Sequence, residues 1–295
     1  MSWRDWIDHG IETQFNPRLA VGDEAESWLN GWADASLRRQ AELGGVYDIA
    51  YGAHHLMRFD YAPADTTLPV IINIHGGYWR ALDKSAMIHH MADLAASGFG
   101  IVNVNYPLCP EVTLSEIMAC LNDAIGAIVA HCDRDAKPSR FILMGHSAGA
   151  HMAMHLSRHP ALAGRLPGVV ALSGIFETGV VRELSVNDDV RLSADEADRW
   201  DCLKQMPASG PAYYISAGGA EPSGWIDQSW MMALALLRRG EDVTFHISGG
   251  RITSAWLIGC AMGRPRKVQN CIAGWLAADH AKLMRTEIIA QYIGA

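Results

Sequence analysis

The stretch Met144-Gly145-His146-Ser147-Ala148-Gly149-Ala150 constrains the fold of this chain more than any other. An apolar run, Arg140 to Met144, leads into it. A helical pattern from His151 to His159, stopped by Pro160, leads out. G-x-S-x-G in that setting demands a tight strand-to-helix turn with the serine at its apex. Only small residues at Gly145 and Gly149 let the strand and helix approach so closely. The Oγ of Ser147 is then presented at a helix N-terminus, where amides and dipole favour developing negative charge. Ser147 is therefore the candidate nucleophile.

Short apolar runs alternate with helical stretches on both sides of this turn. Strands are predicted over Tyr47–Tyr51, His55–Tyr61, Leu68–Ile74, Gly100–Asn105, Gly168–Ser173, Ala212–Ala217 and Val243–Ser248. Helices are predicted over Lys84–Ser97, Thr113–Asp133 and Trp225–Gly240. Near-continuous apolar strands alternating with helices imply an α/β fold, with a mostly parallel sheet covered on both faces and catalytic loops at the carboxyl ends of the strands. The reading is a single domain over 1–295. Residues 1–45 are expected to form a helical N-terminal cap, 177–206 an excursion near the site, and 251–295 an atypical C-terminal segment.

A second motif, Ile74-His75-Gly76-Gly77-Tyr78-Trp79, follows an apolar strand upstream of Ser147. Glycines there can turn their amides toward a tetrahedral oxyanion, joined by the amide after the nucleophile. Gly76, Gly77 and Ala148 are thus the candidate oxyanion hole. His75 reads as a group that orients this loop, and Tyr78 and Trp79 as candidates to line a substrate pocket.

The motif H-G-G-Y-W, followed by Asp83-Lys84-Ser85, resembles the kynurenine formamidase (arylformamidase) branch of the α/β-hydrolases, close to the hormone-sensitive-lipase-like esterases. Asn16-Pro17-Arg18-Leu19, Asn105-Tyr106-Pro107-Leu108-Cys109-Pro110-Glu111, Leu172-Ser173-Gly174-Ile175-Phe176-Glu177 and Gly218-Gly219-Ala220-Glu221 carry the same resemblance. It extends over residues 15 to 250 or so. It implies an α/β-hydrolase fold that cleaves an ester or aryl-formamide bond through an acyl-enzyme, with N-formylkynurenine among the implied substrates. A carboxylesterase on small esters is the broader alternative. Chain order should run Ser, Asp/Glu, His, and Glu221 falls where the family carries its acid. Asp227 is the rival, inside a predicted helix.

The triad histidine is missing from its place. After Val243–Ser248 the family pattern has a His-Phe pair, where this chain reads Gly249-Gly250-Arg251-Ile252-Thr253. His246 lies within the strand, and His280 stands in no recognisable context. Charge changes at the same point: residues 251–295 carry a net +4, against −12 for residues 1–250. Two readings stay open. One is a divergent, basic C-terminal helix pair. The other is a reading frame shifted from about Arg251, because codons permitted for Arg251 to Leu276, read two bases along, spell His-His-Phe and then an acidic amphipathic helix. The absent base also leaves open a pseudo-hydrolase that binds ligand without turnover.

Composition narrows the partners. A net charge of −8 on 295 residues argues against nucleic acid or an anionic membrane. The expected partner is a small ester or formamide, and a homodimer stays open. The opening Met1-Ser2-Trp3-Arg4-Asp5-Trp6 has no apolar signal-peptide core. Six scattered cysteines without C-x-x-C spacing read as free thiols of a reducing, cytoplasmic setting. No metal and no cofactor is expected, since His54-His55 and His89-His90 are sequence neighbours that rarely share one coordination sphere. A zinc amidohydrolase is the reading this disfavours.

Overall fold

Five-residue apolar runs become fully covered strands. Val70–Ile74, Gly100–Val104 and Gly168–Leu172 are buried at every position, as strands of a sheet with both faces packed must be. The computed structural model describes residues 10–248, apart from 17, 18, 20, 21, 23, 24, 64–67, 90 and 136–139. Residues 249–295, with Arg251, Ile252, Thr253 and His280, lie outside the described residues.

The strands are β1 (Val46–Ala50), β2 (Arg58–Ala62), β3 (Val70–Ile74), β4 (Gly100–Val104), β5 (Phe141–His146), β6 (Gly168–Leu172), β7 (Ala212–Gly218) and β8 (Val243–Ser248). They form one eight-stranded sheet in the order β1-β2-β4-β3-β5-β6-β7-β8. β1 and β2 enter antiparallel, and every pairing from β4 onward is parallel. Helices in chain order are α1 (Ile11–Phe15), α2 (Ala25–Leu43), α3 (Met91–Ala96), α4 (Leu114–Cys132), α5 (Ala148–Leu156), α6 (Asn187–Val190), α7 (Ala194–Arg199) and α8 (Ser223–Arg238).

Alternation along each strand divides the core. Val70, Ile72 and Ile74 face the side covered by α4, α5 and α8, whereas Ile71 faces Met91 and Leu94 of α3. Each buried Ile or Val contributes about 1.5–3 kcal/mol of transfer free energy, so a one-residue slip in register would forfeit both layers. α4 begins with a capping box, Thr113 and Glu116. It is long and apolar enough to cross a membrane by length and composition, yet Ile117, Leu121, Ile125 and Ile128 are buried in the core.

One expectation needs correction. The helix predicted over Lys84–Ser97 is a 3-10 turn, Lys84–Met87, followed by α3. Tertiary contacts break it: Asn103 Nδ2 donates to the Lys84 carbonyl at 2.6 Å, and Lys84 Nζ reaches Asp60 at 2.7 Å. α2 packs on α3 and the Lys84–Met87 turn, on the sheet face opposite α5. Among the described residues of the N-terminal segment, α1 lies beside the elements that carry the candidate site.

Candidate active site

Ser147 stands between β5 and α5 with φ 56° and ψ −121°. A non-glycine residue in that region costs on the order of 1–3 kcal/mol and persists only where its surroundings enforce it. Here they do. A Cβ on Gly145 would lie 2.2 Å from the Gly149 carbonyl carbon, and one on Gly149 would lie 2.0 Å from the Ile74 carbonyl oxygen. The Ser147 amide donates to the Leu172 carbonyl at 2.9 Å. Ala148 opens α5, so its amide is among the first-turn donors that lack intrahelical acceptors.

The loop after β3 packs directly on this turn. A Cβ on Gly76 would come within 2.8 Å of the His146 carbonyl oxygen and 3.2 Å of Ser147 Cβ, and Gly77 has φ +108°. The ring of His75 is fully buried, stacked on Tyr106 at 4.2 Å, with Nε2 2.9 Å from Asn105 Oδ1 and Nδ1 2.8 Å from the Gly76 carbonyl oxygen. Burial lowers the His75 pKa. In a trans peptide the N–H points opposite to the C=O. The Gly76 carbonyl turned inward to His75 therefore sends the Gly77 N–H outward. His75 orients the loop, as its place in the motif predicts.

Tyr78 and Trp79, the candidates to line a pocket, are both buried. Trp79 is 0% exposed and meets the His151 ring edge-on at 5.2 Å; Tyr78 is 7% exposed, and its hydroxyl donates to the Phe15 carbonyl. Both aromatics pack the loop against neighbouring helices.

Glu221 lies in the turn between β7 and α8. It accepts from Ser173 Oγ at 2.8 Å on each oxygen and from the Gly218 amide at 3.0 Å. Ser173 follows β6 with φ 46° and is 2% exposed, a contribution that sequence reading missed. Its only signal was the family-like stretch Leu172-Ser173-Gly174. Asp227, the rival acid, sits on α8 with its pKa raised by burial. His246 is inside β8, opposite Ser216 of β7, not in a loop at the carboxyl ends.

One buried cluster has the donor types of a metal site: His151, His155 and Cys202, with ligand atoms within 4.8 Å of one another. Its hydrogen bonds argue otherwise. Arg158 donates to His155 Nδ1 at 3.0 Å, and Arg has no acceptor. The His155 proton therefore stays on Nε2, where it meets the Trp200 carbonyl at 2.8 Å; His151 Nε2 meets the same oxygen at 2.6 Å. Burial pushes His155 down to about 4 and His151 lower than usual as well, so both rings are neutral links between α5 and the 177–206 excursion.

Comparison with known proteins agrees with this architecture. The BD-FAE family model matches residues 60–162. Kynurenine formamidase from Salmo salar is 25% identical over 209 residues, covering 67% of this chain and 70% of the relative. The Drosophila melanogaster kynurenine formamidase is 27% identical, covering 62% and 65%. An esterase of the bacterial hormone-sensitive lipase family superposes with a TM-score of 0.64 at 15% identity, covering 86% of this chain and 97% of the other. Esterase B from Lactobacillus rhamnosis gives 0.63 at 15%, covering 88% and 99%. Sheet order, serine turn, glycine loop and these likenesses converge: the chain is an enzyme with the α/β-hydrolase fold, similar in sequence to the kynurenine formamidases.

Proposed function

We propose that this protein is a serine hydrolase that cleaves a small ester or aryl-formamide bond through an acyl-enzyme, with N-formylkynurenine as the leading substrate. The observation that carries the reading is the strained serine at the head of α5 with Gly76 packed against it. Ser147 Oγ attacks the acyl carbon while a histidine takes its proton. The amides of Gly77 and Ala148, with Gly76 assisting, hold the oxyanion. Collapse of the tetrahedral species releases the amine or alcohol, which takes up that proton, and water then frees the acyl group. Glu221, held by Ser173 and the Gly218 amide, is the acid that orients the imidazole.

The base belongs in the loop after β8, at the positions occupied by Ile252 and Thr253. That departure favours one other reading, a pseudo-hydrolase that binds ligand without turnover. Hydrolysis of N-formylkynurenine and p-nitrophenyl acetate, measured side by side for the unaltered chain and Ser147→Ala, separates them. Turnover abolished by Ser147→Ala supports the hydrolase. Background rates in both, with ligand affinity intact, support the pseudo-hydrolase. Persistence of activity in Ser147→Ala would refute the assignment of the nucleophile.

A further inference from the structure

α8 begins without a local cap. Its N-cap residue is Pro222, which offers no side-chain acceptor, and Glu221 immediately precedes it. First-turn amides left without an acceptor destabilise a helix end. Here the acceptor comes from the other end of the chain: Gln14 Oε1 receives the Gly224 amide at 3.2 Å and Ser223 Oγ at 2.9 Å. Gln14 is only 5% exposed.

The rest of α1 binds the same neighbourhood. Phe15 fills the space over Gly224, where an added Cβ would sit 2.5 Å from its Cζ, and it lies 6.1 Å from the Trp225 ring. Tyr78, next to Gly77, packs on Trp225 at 6.1 Å and donates to the Phe15 carbonyl. Glu12 accepts from the Ser185 amide at 2.8 Å and from its hydroxyl at 2.6 Å, tying down the excursion.

We infer that Gln14 is a positioning residue for Glu221: it caps α8 at long range, and α1 thereby clasps the turn that holds the acid to the loop that holds Gly77. The catalytic half of this inference rests on the role given to Glu221 above. Without the cap, the first turn of α8 frays and the carboxylate loses its fixed bearing on the base. Loss of the cap frees the carboxylate and leaves Ser147 in place, so the pKa of an imidazole that it orients falls.

The test compares the unaltered chain with Gln14→Leu and Gln14→Glu, since a carboxylate keeps the acceptor and leucine keeps the bulk. Hydrogen exchange is read at residues 223–226, and labelling of Ser147 by a fluorophosphonate is followed against pH. Gln14→Leu should exchange roughly five- to tenfold faster at those amides, as expected for a lost cap, and should lower the pH midpoint of labelling. Gln14→Glu should match the unaltered chain in both. Exchange across β3 to β7 reports separately that each variant is folded. Unchanged exchange in Gln14→Leu, or a Gln14→Glu that behaves like it, overturns the cap. A split in exchange with no shift in the labelling midpoint overturns the positioning role. An unaltered chain that never labels, with the exchange split intact, strikes the hydrolase reading and the positioning role together, while the cap stands.

Discussion

Ser173 Oγ lies 2.8 Å from both carboxylate oxygens of Glu221, so a buried hydroxyl just past the end of β6 fixes the plane of the candidate acid. A hydrogen bond to a charged group contributes roughly 1.5–3 kcal/mol. Ser173→Ala should therefore lower kcat by about tenfold or more with little change in KM. Steady-state kinetics on p-nitrophenyl acetate check this; an unchanged kcat in an active chain contradicts it.

Gly149 is the least replaceable residue of the serine turn. A Cβ there meets the Ile74 carbonyl oxygen at 2.0 Å and the His75 carbonyl oxygen at 2.8 Å, both backbone atoms that cannot swing aside. Gly149→Ala should destabilise the fold by about 3 kcal/mol or more, in the range of severe core strain. A urea unfolding midpoint within error of the unaltered chain would count against the tight approach of β3 and α5.

The Lys84–Asp60 pair predicts an asymmetry between single and double variants. Each side chain is 10% exposed, with Nζ 2.7 Å from Asp60 and 2.9 Å from Asp48. Burial raises the Asp60 pKa despite the lysine. Lys84→Met strands a buried carboxylate and should cost about 3–5 kcal/mol. Lys84→Met combined with Asp60→Asn should recover most of that loss, as read from paired urea titrations.

Acid should weaken the fold earlier than carboxylate titration alone would. Burial pushes His146 and His155 down to about 4, below the ordinary 6.5. Between those values the unfolded chain binds protons that the folded chain refuses. Stability is therefore intact above pH 6.5 and falls as pH drops toward 4, by about 1.4 kcal/mol per pH unit for each ring. Urea midpoints measured from neutral pH to pH 4.5 should fall steadily through this window, and a flat profile would contradict the buried neutral rings.

Most of the fold was legible because it rests on local rules. Alternation and apolar runs located every strand from β3 to β8 to within a few residues. Gly145, Gly149, Gly76 and Gly77 are demanded by close approach, which sequence spacing reveals. The failures were tertiary. Nothing local says that Lys84 is drawn inward to Asp60, which breaks the expected helix. Nor does a motif say that Trp79 packs against His151. Ser173 and Gln14 were invisible for the same reason, since each serves a group far away in the chain.

The coding sequence offers a check independent of the folded protein. If the frame shifts near Arg251, the bases encoding Arg251 to Leu276, read two along, should spell His-His-Phe and an acidic helix after β8. Codons incompatible with that spelling support the divergent C-terminal segment. Restoring the frame should supply the base and raise hydrolysis above that of the unaltered chain.

The bond between Gln14 and the Gly224 amide spans 210 residues. A ribosome must therefore finish β7 and enter α8 before α1 can settle. Until then neither Phe15 nor Tyr78 has Trp225 to pack on. The clasp is consequently a closing event of synthesis, and a chain cut off before α8 should be recognisable by a protease-sensitive α1.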